Sequence, residues 1–303
     1  MTPGYYDDEL SLPEIKNIFD QLKEMGTMLL TFSGGEIFLR NDLIEILEYA
    51  AKHFLVILLT NGTLISSYKA KEIKKTGVMQ VEVSIYGACA EIHDQITRTH
   101  GSYSKTMRTL EILKKEQIPT VIKYTTMKQN IQEYNEVKKI ALQLGARLSI
   151  SHFLIPKRDG SRDPLFYRTD EYDLDHYISN RIGEGIDNLD FAKGICNAGS
   201  SSCSISSTGM VSPCAVLPLN LGSLRKTSFR DIWQKKPLEE LKCLRSATKS
   251  DMVQCKNCDI SNYCNPCPGA NYLECGDILK CSAEFCRTAR CLVSGLTHSK
   301  EGG

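Results

Sequence analysis

Twelve of the thirteen cysteines lie between Cys196 and Cys291, and only Cys89 precedes them. Isolated buried thiols behave as small hydrophobes and scatter through a sequence, so crowding of this kind needs another cause. A disulfide scaffold fits poorly, because the count is odd and no basic-then-apolar stretch opens the chain to direct export. In a reducing compartment, packed cysteines bind metal more often than they pair with one another. The other bulk properties exclude little more. A formal charge of +1 on 303 residues gives no general attraction to nucleic acid. The longest aliphatic run, Phe54 to Leu59, is too short to cross a bilayer. The expectation is a cytoplasmic chain with neither nucleic acid nor membrane as a partner.

The first two-thirds alternates helix and strand signals. Ser11-Leu-Pro-Glu14 is a capping box with proline in the first turn, opening a helix through about Glu24. Met28 to Phe32 reads as a buried strand ending at Ser33-Gly34-Gly35. The cadence continues with helix Asn41 to Lys52, strand Phe54 to Leu59, helix Tyr68 to Lys75 and strand Gln80 to Ile85. Helix Ser104 to Glu116, strand Thr120 to Thr126, helix Glu133 to Leu144 and strand Arg147 to Leu154 complete it. Five such strands imply parallel β/α units with right-handed crossovers, either as an open doubly wound sheet or as a (β/α) barrel. Both place chemistry at the carboxyl ends of the strands. That singles out Ser33 to Glu36, Thr60 to Gly62, Ser84, Tyr86 and Lys123. A charged, turn-rich stretch from Lys157 to Asp190 reads as a connector with a helical patch near Asp170 to Asn180. Within the cysteine region a helix is expected over Ser228 to Leu241, with Trp233 as a packing anchor.

Cys255-x2-Cys258-x5-Cys264-x2-Cys267 is compact, and Cys196-x12-Gly209-x4-Cys214 brackets Cys203, with a hairpin turn at Thr208-Gly209. Zinc competes on the two C-x2-C pairs alone. No histidine lies between residues 196 and 291, the upstream trio lacks ribbon spacing, and eight cysteines divide into two four-thiolate sites. Two [4Fe–4S] clusters are therefore favoured over zinc. The run resembles the SPASM domain, the auxiliary-cluster extension of radical S-adenosylmethionine (SAM) enzymes that modify peptides and proteins. By that resemblance one cluster takes Cys196, Cys203, Cys214 and Cys267, the last crossing over from the four-cysteine run. The other takes Cys255, Cys258, Cys264 and Cys286, with Cys281 and Cys291 as competitors for the final place. The family often has three residues before the crossing cysteine, where this chain has two. Cys89, Cys243 and Cys275 remain, and a buried inert thiol is their default reading.

Residues from about 11 to 156 resemble the radical SAM core. The match is Ser33-Gly34-Gly35-Glu36, then Thr60-Asn61-Gly62, then Ser84-Ile-Tyr-Gly87, followed by His93-Asp94 and Arg98. Two glycines let a ligand approach the backbone and a carboxylate beyond them can pair with an ammonium group. The resemblance implies that Ser33, Gly34, Gly35, Glu36, Asn61, Ser84 and Lys123 contact SAM. For Lys123 a solvent-facing structural role is an equal alternative, and His93 and Asp94 also read as helix-capping residues. The family's defining C-x3-C-x2-C is not found in the sequence. The expectation is a partial (β/α)6 TIM-like barrel lacking its first strand over residues 1–160, a connector over 161–190 and a SPASM-like domain over 191–295. A SAM-binding [4Fe–4S] cluster is expected only with an N-terminal segment carrying that motif. The implied function is oxidative modification of a ribosomally made peptide or protein side chain, with an electron donor such as flavodoxin or ferredoxin. A non-catalytic iron–sulfur electron carrier or peptide-binding protein is the alternative.

Overall fold

The computed structural model describes residues 8–179 and 195–301. The chain divides into two units, Leu10–His152 and the remainder, which comprises the described residues from Phe153 onward together with Asp8 and Glu9.

The first unit opens with α1 (Leu12–Glu24), set by the capping box that its sequence announces. The Ser11 amide donates to the Glu14 carboxylate at 2.7 Å, while the Ser11 hydroxyl oxygen accepts from the Glu14 amide. Five parallel strands follow: β1 (Leu29–Phe32), β2 (Leu55–Thr60), β3 (Gln80–Ile85), β4 (Thr120–Thr125) and β5 (Arg147–Ser151). They lie in spatial order 1-2-3-4-5. A doubly wound sheet must reverse its order to place helices on both faces, whereas right-handed crossovers without reversal put every helix on one face. The order therefore selects the singly wound, barrel-type alternative. The helices between the strands are α2 (Leu43–Ala50), α3 (Ser67–Thr76), α4 (Ala90–Thr97), α5 (Ser102–Lys115) and α6 (Tyr134–Leu144).

The two sheet faces divide by chemistry. Val56, Leu58, Val81, Val83, Ile85, Ile122 and Tyr124 alternate onto the helix-covered face and are buried. The opposite face carries Leu55, Ile57 and Leu59 on β2, but Glu82 and Ser84 on β3 and Lys123 on β4. β1 departs from the expectation of a buried strand. It is an edge strand with a single neighbour, and Met28 and Leu29 are exposed.

The second unit contains a three-stranded antiparallel sheet, β6 (Ser204–Ile205), β7 (Met210–Ser212) and β8 (Gly222–Ser223). Gly209, at φ +83°, makes the β6–β7 hairpin turn at the expected place. The unit's helices are α7 (Glu171–Ser179), α8 (Glu239–Ser246), α9 (Pro268–Cys275) and α10 (Ala283–Glu301). The unit boundary falls before residue 160, and the described part of the expected connector, 161–179, packs inside this unit with α7 against α10. The rest of that stretch lies outside the described residues. Within the described part, Arg168 and Thr169 are built into the unit's interior. Arg168 pairs with Glu274 and Glu284, and Arg287 pairs with Glu284 and donates to the Thr169 carbonyl.

The helix expected over Ser228 to Leu241 is broken. A π-helical turn over Asp231–Lys235 ends at Lys236, and α8 starts beyond Pro237. Proline has no N–H for a helical bond and pushes the preceding residue toward extended geometry, so one helix cannot run through. Trp233 anchors the turn as expected, stacked on Phe229 with ring centroids 5.5 Å apart and covered by the Arg245 guanidinium at 4.8 Å.

Candidate active site and cluster nests

The carboxyl ends of β1, β2, β3 and β4 carry the residues singled out in the first unit. Neither Gly34 nor Gly35 has a positive φ, and a Cβ built on either meets nothing within 4 Å. Local packing therefore does not demand glycine at these positions. Their bareness leaves the backbone open beside the end of β1, which suits close approach by a ligand.

Glu36 is 8% exposed and its carboxylate does not face open space. It accepts from the Phe38 amide at 3.1 Å, the Thr60 hydroxyl at 2.8 Å and the Asn61 amide at 2.9 Å. The carboxylate thereby ties the β1 loop to the end of β2. Three donors leave room for one more at a carboxylate with about four lone-pair sites. Asn61 closes its own turn, its Oδ1 accepting from the Thr63 amide at 2.9 Å and hydroxyl at 2.7 Å. Gly62 has φ +74°, and a Cβ there would lie 2.9 Å from Val83 Cγ1. Gly62→Ala combines a left-handed strain of about 1–2 kcal/mol with overpacking against β3, and a loss of about 2–4 kcal/mol is expected. Thermal denaturation of wild type and variant followed by circular dichroism checks it; an unchanged first-unit transition contradicts it.

Ser84 and Lys123 are register partners across β3 and β4. Lys123 Nζ donates to Ser149 Oγ at 3.0 Å and lies 3.6 Å from Glu82 Oε2. The structure thus gives Lys123 partners on the helix-free face.

His93 and Asp94 lie within α4, so the expected helix start is displaced to Ala90. Asp94 caps the following helix. Its carboxylate accepts from the Tyr103 amide at 2.8 Å, the Gly101 amide at 2.6 Å and the Ser102 hydroxyl at 2.9 Å. These bonds, the Tyr103 amide foremost, hold its pKa below the usual carboxylate value. His93, 2% exposed, accepts the Tyr86 amide on Nδ1 at 3.2 Å, which makes it a neutral imidazole protonated on Nε2. Burial lowers its pKa. The unfolded chain therefore takes up a proton on this residue near pH 6.5 while the folded chain resists it, so stability declines as pH falls below that value. Asp94 adds a loss of the same sign below about pH 3.9. The melting temperature is expected to fall from pH 7 to pH 5 in wild type and to vary less over that window in His93→Asn; equal slopes contradict this.

Two residues without a sequence signal complete the loop beyond β3. Asn130 donates to the Tyr86 and Thr125 carbonyls at 3.0 Å each and accepts from the Met127 amide. Glu133 accepts from the Ala88 amide at 2.8 Å and the Cys89 thiol at 3.3 Å. Both partners sit more than forty residues upstream, so only the fold reveals them.

In the second unit the cysteines form two groups. Cys267, at the N-terminus of α9, has its pKa raised first by burial, opposed by amide donation from Ala270 and Gly269 and reinforced by the neighbouring Cys214 and Cys196 thiols. The Ala198 amide donates to Cys196 Sγ at 3.3 Å and the Leu217 amide to Cys214 Sγ at 3.2 Å. Cys203 lies just before β6 with its pKa pushed up to about 11 by burial. Burial is the cause of that shift, and no neighbouring thiol contributes to it.

Cys255, Cys258, Cys264 and Cys286 line a single pocket together with Lys249. Cys281 stands beside it, 3.9 Å from Cys286 sulfur to sulfur, and donates its S–H to the Ser282 carbonyl at 3.5 Å; its contact with Cys264 lowers the Cys264 pKa and raises its own. Lys249 Nζ donates to the Cys264 and Ser261 carbonyls at 2.7 and 3.0 Å, placing a cation in the pocket wall. Cys291 is buried on α10, where Asp175 and Glu171 raise its pKa after burial does. Cys89 and Cys243 are exposed and Cys275 half-buried, which corrects their reading as buried thiols. Cys89 precedes α4 in extended backbone and Cys243 lies on the surface of α8.

The donor sets suit iron–sulfur clusters better than single ions. One tetrahedral zinc would draw its sulfurs to about 3.8 Å of one another. Among the described residues no three His, Cys, Asp or Glu side chains are gathered to hold one metal ion. The thiols of the second nest instead surround a pocket, the arrangement a four-iron cluster needs. Among the described residues no helix is long and apolar enough to cross a membrane.

Residues 2–141 match the radical SAM superfamily and residues 196–259 match an iron-sulfur cluster-binding domain. The AdoMet-dependent heme synthase of Oleidesulfovibrio alaskensis is 30% identical over 86% of this chain and 75% of its own length. The antilisterial bacteriocin subtilosin biosynthesis protein AlbA of Bacillus subtilis is 26% identical over 85% of this chain and 60% of its own length. Among solved structures, anSMEcpe with bound AdoMet superposes with a TM-score of 0.76 over 96% of this chain and 88% of its own, at 18% identity.

Proposed function

The chain belongs to the radical SAM superfamily and carries its iron–sulfur extension, and from this premise we propose that it oxidatively modifies a ribosomally made peptide or a protein side chain. The family is one of oxidoreductase-type enzymes whose cofactors are SAM and [4Fe–4S] clusters. When bound, these supply radical hydrogen abstraction and one-electron transfer; the protein supplies orientation and exclusion of competing donors. The observation that carries the reading is the pair of thiol nests, which equips the chain to accept electrons leaving an oxidised substrate.

The roles of individual residues are those the family resemblance implies, and their positions at the strand ends and in the cysteine region support them. Ser33, Gly34 and Gly35 offer bare backbone to the SAM methionine moiety. Glu36 holds that loop on β2 and keeps one lone-pair position for the ammonium group. Asn61 shapes the neighbouring turn, and Ser84 and Lys123 present a hydroxyl and a cation to the ribose or carboxylate. Cys196, Cys203, Cys214 and Cys267 ligate one auxiliary cluster; Cys255, Cys258, Cys264 and Cys286 ligate the other. No C-x3-C-x2-C triplet occurs among the 303 residues, so none of them is assigned to a SAM-binding cluster. An external reductant of the flavodoxin or ferredoxin type provides electrons.

The AlbA relative supports a peptide substrate. The heme synthase relative favours a second reading, a tetrapyrrole substrate on the same radical chemistry. The two separate in one experiment. The reconstituted protein is given SAM, a reductant and either a cysteine-bearing peptide encoded beside its gene or an iron coproporphyrin. Mass loss of two hydrogens in the peptide supports the first reading. A changed tetrapyrrole absorption spectrum with an unaltered peptide overturns it in favour of the second.

A further inference from the structure

Lys249 is the one charged side chain among the described residues that line the pocket of Cys255, Cys258, Cys264 and Cys286. Its ammonium donates to the Cys264 carbonyl at 2.7 Å and to the Ser261 carbonyl at 3.0 Å, which holds the charge against the backbone of a cysteine in the nest. The turn that carries it is fixed as well. Thr248 and Asp251 form a capping box around Lys249–Asp251, the Asp251 carboxylate accepting from the Thr248 amide at 2.8 Å and hydroxyl at 2.7 Å. The Met252 amide donates to the Lys249 carbonyl at 3.1 Å, and Met252 is fully buried in the apolar cluster that includes Cys264. A free lysine samples many rotamers, so this side chain is ordered at an entropic cost. Lys249 is half-buried, whereas Lys256, next to Cys255 in sequence, is exposed.

We propose that the Lys249 ammonium, held in the pocket wall, raises the reduction potential of the second cluster. One-electron reduction adds a negative charge to a cluster that four thiolates already make anionic, and a fixed cation beside it favours the reduced state. A half-buried charge is screened by water and salt less than an exposed one, which sets Lys249 apart from Lys256. The same two hydrogen bonds brace the turn between Cys258 and Cys264, so charge and bracing have to be separated by the choice of variant. The proposal rests on the extension holding iron–sulfur clusters and is independent of which substrate is oxidised.

The test uses the full chain, reconstituted anaerobically with iron and sulfide, and reads iron content together with redox titrations followed by electron paramagnetic resonance. Wild type is expected to hold about eight irons; zinc in their place overturns the cluster reading and this proposal with it. Lys249→Gln keeps a donor for the carbonyls and loses the charge. It is expected to retain the wild-type iron content while one cluster shifts to a more negative potential. Lys249→Met is expected to shift the same cluster in the same direction, and Lys249→Arg, which keeps the charge, to stay near the wild-type potential. Lys256→Met is expected to leave both potentials in place. In a Cys196→Ala background, where the second cluster alone is expected, Lys249→Gln still shows the shift. Should Lys249→Met prove insoluble, the glutamine variant still decides. Unshifted potentials in Lys249→Gln overturn the proposal, and so does its loss of about four irons, which would make the lysine a brace of the turn alone. A shift in Lys249→Arg as large as in Lys249→Gln overturns it too, because the charge would then not be the cause.

Discussion

Cys267→Ala is expected to remove one cluster and spare the other, lowering bound iron from about eight to about four per chain. Loss of one cluster alone does not say which nest this cysteine completes. By position in the sequence it belongs with Cys255, Cys258 and Cys264, and it packs against the apolar cluster of Cys264; the Cys196 and Cys214 thiols nonetheless raise its pKa after burial does. A double-mutant comparison separates the two, because variants acting on one site do not add and variants at independent sites do. Cys196→Ala combined with Cys267→Ala is expected to hold the same iron as either single variant. Cys255→Ala combined with Cys267→Ala is expected to hold almost none. The reverse pattern would show that the four-cysteine run closes on itself and that the crossing does not exist.

Glu36→Ala is the second large effect. The variant leaves the Thr60 hydroxyl and the Phe38 and Asn61 amides without their acceptor in a buried setting. A stranded buried donor costs about 1–3 kcal/mol, so a total near 3 kcal/mol is expected after partial relaxation. Glu36→Gln recovers only part of this, since one end of the amide turns a donor toward donors. Hydrogen exchange at the Asn61 and Phe38 amides reads the change directly, with faster exchange expected in both variants. Protection at the wild-type level in Glu36→Ala would show that the carboxylate is not the brace of this loop. SAM affinity is expected to fall together with protection, because the bare glycines are held in place by that brace.

The parts of this molecule governed by local chemistry were legible in its sequence. The Ser11–Glu14 capping box, the β3 boundaries and the Gly209 hairpin turn follow from neighbouring residues. The choice between a doubly wound sheet and a barrel wall was not legible in the β/α cadence, because it depends on strand order, which no single β/α unit encodes; the resemblance carried by Ser33 to Glu36 and the later strand ends supplied it. The apolar run of β1 reads as buried by itself, whereas its place at an edge follows from the expected barrel lacking its first strand. Pro237 was visible and sufficient to break the expected helix, and reading Ser228 to Leu241 as continuous underweighted it. At the site, the residue types at the strand ends were legible, but the occupation of Glu36 by Thr60 and Asn61 was not. Asn130, Glu133 and Lys249 act across long sequence separations and carry no local mark. Cys281 was visible only as a competitor for a ligand place; its contact with Cys286 needed coordinates.

The approach of Cys267 to Cys196 and Cys214 bears on how the extension is made. A ligand set drawn from both ends of a stretch of roughly seventy residues cannot close while the ribosome is still adding its last member. Closing so long a loop carries a large entropic cost, which the metal–thiolate bonds must offset. On the ligand set proposed for this nest, cluster delivery and the closing of that loop become one coupled event.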